Sequence, residues 1–171
     1  MMRIFYALLI IVAIVGCGSN ASVEFGMNDE ALFDGEAGDL AMRVLSIEVP
    51  DGDTYATLWE GPEYVPVELK ASGFTSITNG YMDVEPRTIS RVRVTVDSLI
   101  HVQQTSSTLV IEPAYSFIAQ AFSPIVIGED DEIRLVIVIN AETWFNESTG
   151  QIIQGHDPFE DAALRIYYDY Q

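Results

Sequence analysis

Arg91-Val92-Arg93-Val94-Thr95-Val96 is the stretch that decides the fold class, because three valines alternate with two arginines and a threonine. Successive side chains on extended backbone point to opposite sides, so this alternation describes a strand with one buried and one wet face. The pattern carries on toward Val102 before a polar turn over 103–107. A second strand, 133–140, reads differently. Ile133, Leu135, Ile137 and Ile139 share one face, but Val136 and Val138 occupy the other. A half-solvated strand should not carry both sets, so its outer face is expected to be covered. The nearest cover is the segment 141–159, which brings Trp144 and Phe145. If these two stayed exposed beside the valines, they would mark a binding surface instead.

Working outward, β-branched and aromatic runs recur from residue 40 onward, separated by turn residues every 8 to 12 positions. Residues 40–49 end at Pro50-Asp51-Gly52-Asp53, and the apolar parity slips between Val44 and Leu45, which predicts a bulge. Two strands follow, 55–59 and 64–69, divided by Glu60-Gly61-Pro62, and Pro66 consigns the second to an edge or a strand end. Asn79-Gly80 accepts positive φ at both positions and predicts a tight hairpin between 76–78 and 81–84. Short pieces at 109–111, 116–121 and 124–127 precede the 133–140 strand, and 162–170 closes the chain with Leu164, Ile166, Tyr168 and Tyr170 on one side. There is no internal repeat, heptad or long amphipathic helix. The expectation is an all-β domain over 40–171, a single β-sandwich of about seven to nine short, mostly antiparallel strands.

The first 16 residues belong to something else. Met1-Met2-Arg3 leads into an apolar run over 4–15, then Gly16-Cys17-Gly18-Ser19-Asn20. One positive charge, roughly a dozen apolar residues and a small residue form the layout of a secretory signal, and a spanning helix would need about 20. Ile14-Val15-Gly16-Cys17 also resembles the bacterial lipobox, although Leu is commoner at its first position. That resemblance implies cleavage between Gly16 and Cys17, a diacylglycerol on the Cys17 sulfur and an acylated new amine, so the mature chain is held to a membrane without spanning it. Two or three acyl chains exceed the single chain that binds only marginally. Residue 18 is Gly rather than Asp, so the inner-membrane retention signal of some Gram-negative bacteria has no counterpart, and the outer membrane is the expected location. Residues 17–39, rich in Gly, Asp, Glu, Asn and Ser, read as a flexible acidic tether spanning on the order of 25 Å.

Charge and cysteine usage narrow the chemistry. Twenty-six acidic residues oppose eight basic ones, a net charge of −18, with Lys70 the only lysine. Such a surface repels phosphate backbones, which excludes nucleic acid as a partner. Cys17 is the only cysteine, so once it is lipidated no disulfide, thiolate nucleophile or cysteine metal site exists.

Parts of 40–140 resemble a family of uncharacterised bacterial lipoprotein domains with a transthyretin-like β-sandwich. The residues concerned are Tyr64-Val65-Pro66-Val67-Glu68-Leu69, Val84-Glu85-Pro86-Arg87 leading into Ile89-Ser90-Arg91-Val92-Arg93-Val94, and Leu109-Val110-Ile111-Glu112-Pro113. Pro86-Arg87-Thr88 departs from that family, which has Gly before the Arg-bearing strand. Thr143-Trp144-Phe145 is similar to the end of methanobactin-associated-type periplasmic copper-binding proteins, but no copper-ligand set accompanies it. The first resemblance implies a fold and no activity.

No Gly-x-Ser-x-Gly elbow, His-Glu-x-x-His motif or Gly-rich phosphate loop is present, and only His101 and His156 offer imidazole. The reading is therefore a non-catalytic module for binding, adhesion or assembly, with a protein or glycan partner. The ranked alternatives are a periplasmic calcium or copper protein, then a hydrolase. Calcium, a hard cation, takes carboxylate and carbonyl oxygens. Its candidate ligands are Asp51 and Asp53 in one turn and Glu129, Asp130, Asp131 and Glu132 in another, with Asp157, Glu160 and Asp161 as a third cluster. Tyr55, Trp59 and Tyr64, with Tyr167 and Tyr170, are candidates for a glycan platform, and Trp144 and Phe145 for a partner surface.

Overall fold

A computed structural model describes residues 18–30, 40–66, 73–103 and 106–168. The expected signal segment, 1–16, and Cys17 lie outside the described residues. Among the described residues twelve strands form: β1 Ala21–Asp29, β2 Leu40–Asp51, β3 Thr54–Pro66, β4 Thr75–Ser76, β5 Met82–Val84, β6 Arg87–Gln103, β7 Ser106–Ile111, β8 Tyr115–Ile127, β9 Glu132–Ile139, β10 Phe145–Asn146, β11 Gln151–Ile152 and β12 Ala163–Ile166. The all-β expectation is met. The strands do not divide into two facing sheets, however. Ten join one sheet in the order β3-β2-β6-β8-β12-β9-β1-β4, with β5 also on β1 and β7 also on β6, while β10 and β11 make a small hairpin. The sheet nearly closes on itself, since Asn79 Nδ2, between β4 and β5, donates to Glu63 Oε2 of β3 at 2.8 Å.

The largest departure from expectation is at the start. Residues 21–29 were read as part of the tether, yet they form β1, which lies parallel to β9 from Ser22 opposite Glu132 to Asp29 opposite Ile139. Ala21, Val23, Phe25 and Met27 are wholly buried. Their polar neighbours are each engaged: Glu24 accepts from Arg134 Nε at 2.8 Å, Asn28 Nδ2 donates to the Gly73 carbonyl at 2.9 Å, and Asp29 Oδ1 accepts the Ala141 N–H at 3.1 Å. Burying such groups costs little once they are bonded. What remains of the supposed tether, 31–39, lies outside the described residues.

Several local expectations hold. Val92, Val94 and Val96 are buried, the β2 register slips between Val44 and Ser46, and the turn at 51–54 joins β2 to β3. Others merge. The pieces 55–59 and 64–66 are one strand through Gly61-Pro62, which an end strand tolerates because one edge has no ladder to lose; residues 67–69 are outside the described set. Likewise 116–121 and 124–127 are both β8. Asn79 and Gly80 do take positive φ, 55° and 125°. They make no hairpin, because β4 and β5 each pair with β1, at Gly26–Met27 and at Ala21–Val23. The Asn-Gly pair is an outward bend in one interrupted edge, held where Ile77 N–H donates to the Phe25 carbonyl at 2.8 Å.

The cover over β9 also differs in detail. Val136 and Val138 are buried, and the chain does fold back after β9. Trp144 and Phe145, however, enter the main core on the other side of the sheet. Trp144 lies 4.9 Å from Phe159, which stacks on Phe117 of β8 at 4.2 Å, and Phe145 meets His101 edge-on at 5.0 Å. The outer valines are flanked by β1 at Gly26 and β12 at Arg165, and Phe74 covers this face. A Cβ on Gly26 would stand 2.5 Å from the Phe74 ring, so only glycine lets that ring lie down. Arg134 and Tyr167 pack on the same ring, at 5.5 and 4.9 Å.

Candidate functional site

The acidic turns are separate, exposed features. Asp51 and Asp53 flank Gly52, whose φ is +60°, and Thr54 Oγ1 donates to the Asp51 carbonyl at 2.9 Å. In the β8–β9 turn Asp131 Oδ2 accepts the Gly128 N–H at 2.6 Å and Asp130 takes φ 60°, while Glu129 and Glu132 are exposed. These contacts are those of turns with local bonds. Among the described residues no group of three or more His, Cys, Asp or Glu is arranged to hold a metal ion.

The two histidines are far apart in character. His101 is buried in β6, opposite Leu40 and Thr108, and its Nε2 has no hydrogen-bond partner among the described residues. His156 is exposed and bonds the carboxylate of Glu160 one helical turn's spacing ahead. Of the aromatic platform, Tyr55 lies beneath Arg93 at 4.2 Å and Tyr64 beside Arg43 at 5.8 Å, so both rings are used by cations of the same sheet. Tyr170 lies outside the described residues. Trp144 and Phe145, offered as a partner surface, are core residues, 0% and 2% exposed.

Charge on the outer face is organised along β2 and β6. Arg43 forms a forked pair with Asp97, and Arg93 donates to both Glu48 oxygens at 2.7 and 2.8 Å. Hydrogen bonds from Arg93 hold the Glu48 carboxyl below its ordinary range, and those from Arg43 do the same for Asp97. The arginines are shifted upward by the same bonds. These pairs tie neighbouring strands together and leave few cations for a ligand.

One surface stands out for the opposite reason. Four β8 residues, 121–124, face the single β6 residue Ser90, and Gln120 Nε2 donates to its carbonyl at 2.9 Å to close this wide bulge. Phe122 projects from the bulge fully exposed, at 105%, and Val126 follows at 71%. β8 pairs with β12 only at Gln120 and Ala121, after which the strands separate. The gap is a shallow groove lined by Phe122, Ile125, Leu164, Ile166 and Tyr168, the last 62% exposed, together with the polar Ser123 and Arg165. Parity carried a signal for this surface: Phe117, Ala119 and Ala121 face the core, which turns Ile118 and Phe122 outward.

The groove runs from the level of Leu164, opposite Ile137, toward the end of the sheet where β1 begins. β8 ends at Ile127, beside Arg87 at the start of β6, and the turn that follows leads into β9. Ser22 N–H donates to the Asp131 carbonyl at 2.7 Å, and a Cβ on Gly18 would stand 2.8 Å from Glu129 Oε1. Gly18, one residue after Cys17, therefore rests on the turn that Val126 runs into. Trp144 and Phe159 close the opposite end, beyond the end of β9. No family model, curated protein or solved structure matches the chain.

Proposed function

We propose that the chain is a lipid-anchored envelope protein, a non-catalytic module that binds or assembles at the surface of the outer membrane of a Gram-negative bacterium. The observation that carries this reading is the lipobox-like Ile14-Val15-Gly16-Cys17 standing directly before a folded domain, with Ala21 already the first residue of β1. The placement of the imidazoles supports the non-catalytic part: His101 is sealed in the core, and His156 sits in an open turn with Glu160 as its partner. A general base must reach a substrate proton, and a buried ring beside Phe145 does not.

Metabolic labelling with a radioactive or clickable fatty acid tests the anchor. Wild type should take up label and be shortened by the lipoprotein signal peptidase. Cys17→Ser should take up none and persist as the precursor. Label retained by the Cys17→Ser chain would remove the basis of the proposal.

A further inference from the structure

We propose that the apolar surface made by Phe122, Val126 and Tyr168 seats on the bilayer that carries the anchor, so that the domain lies against the membrane. This rests on the lipid-anchor reading given above. Four residue steps separate Cys17 from Ala21, a reach of at most about 14 Å, well short of a tether able to hold a domain clear of the headgroups. Gly18 rests on the 128–131 turn, so the acyl chains enter the membrane beside that turn. Val126 lies three residues before Glu129, and Phe122 lies beyond it on the protruding bulge, level with Ser90 near the start of β6. Tyr168 is brought to the same end because β12 runs parallel to β8, with Tyr167 N–H bonded to the Arg134 carbonyl.

An exposed Phe, an exposed Val and a Tyr are the residue types that gain from an interface where one side is apolar and the other wet. The acidic turn beside it, Glu129 to Glu132, carries the wrong sign for anionic lipid, so contact through the apolar groups with a zwitterionic surface is the favoured mode.

Because Cys17 is acylated, a cysteine introduced elsewhere is the only free thiol and takes a spin label cleanly. The lipidated Phe122→Cys and Ser148→Cys chains would each be labelled and reconstituted into phosphatidylcholine vesicles, with flotation confirming attachment. Ser148 is exposed in the β10–β11 turn, far from the anchor. Relative collision rates with oxygen and with a water-soluble nickel chelate report depth. Expected is an oxygen-to-nickel ratio several-fold higher at 122 than at 148. Equal ratios on vesicles that do float would overturn the seating while leaving the anchor intact. Failure to float would overturn both. A label at 122 shielded from both reagents, with the protein eluting as a dimer in detergent, would assign the surface to a second copy of the chain and overturn the membrane contact.

Discussion

Trp144 is the residue whose environment most changes its meaning. It is wholly buried against Phe159 and Phe145, yet its indole N–H has no hydrogen-bond partner among the described residues. Two effects therefore oppose each other at one site. The ring contributes a large apolar contact, and the unpaired donor costs roughly 1–3 kcal/mol of desolvation. Trp144→Ala should lose about 3–5 kcal/mol in urea unfolding, the range for emptying a core aromatic site. Trp144→Phe should lose much less, because it keeps most of the contact and removes the orphaned donor. Equal losses in the two variants would mean that the indole nitrogen is satisfied in solution. The sequence shows a Trp-Phe pair after an apolar strand, but not which side of the sheet it enters, since the 3₁₀ turn Ala141–Thr143 directs the chain.

At the scale of elements, β2 and β6 are joined by more than their backbone ladder. The Arg43–Asp97 and Arg93–Glu48 pairs cross the same strand boundary. Both carboxyls are held below their ordinary values by the arginine hydrogen bonds. In the unfolded chain they return to about 4, so below that pH the unfolded state binds more protons. The stabilisation is thus present at neutral pH and is lost as pH falls through the ordinary carboxylate range toward the depressed folded values. Arg93→Met should flatten this acid limb of the stability profile relative to wild type. An unaltered slope between pH 5 and 2, measured by urea titrations at stepped pH, would show that the Glu48 pair contributes no pH dependence. The alternation in 91–96 makes Arg93 an outward residue from sequence alone. Glu48 as its partner is another matter, because the register shifts near Val44 decide which residues of β2 it meets.

For the whole molecule, β1 is the element that completes the sheet beside β9. It lies between β9 on one edge and β4 and β5 on the other, so it is internal despite being the first strand of the described residues. A chain beginning at residue 40 would lack Val23, Phe25 and Met27 from the core and leave the aliphatic edge of β9 unpaired. Such a chain should show no cooperative urea transition and should aggregate through that edge. A sharp transition with the full-length slope would mean that β1 is dispensable, and would restore the reading of 17–39 as a tether. The same placement has a functional consequence. Under the proposed anchoring, only four residue steps part Cys17 from the start of β1 at Ala21, whereas a long tether would let the domain face any direction.

The sequence alone determines the class of structure, because period-2 valines make strands, and it supplies the apolar run with Cys17 on which the proposed anchor rests. It also contained β1, since Ala21, Val23, Phe25 and Met27 alternate with Glu24, Gly26 and Asn28. That alternation was hidden because polar residues on the second face look solvated until their partners are known. Arg134 lies far along the chain, and only the parallel pairing of β1 with β9 brings it to Glu24. The tertiary structure likewise decided the two ends of the sheet. Strand order sends Trp144 and Phe159 to the end of the sheet beyond β9, and register leaves four residues of β8 bulging opposite Ser90. Local periodicity says which side chains share a face. Long-range pairing decides what each face meets, because that depends on contacts between residues the chain itself keeps far apart.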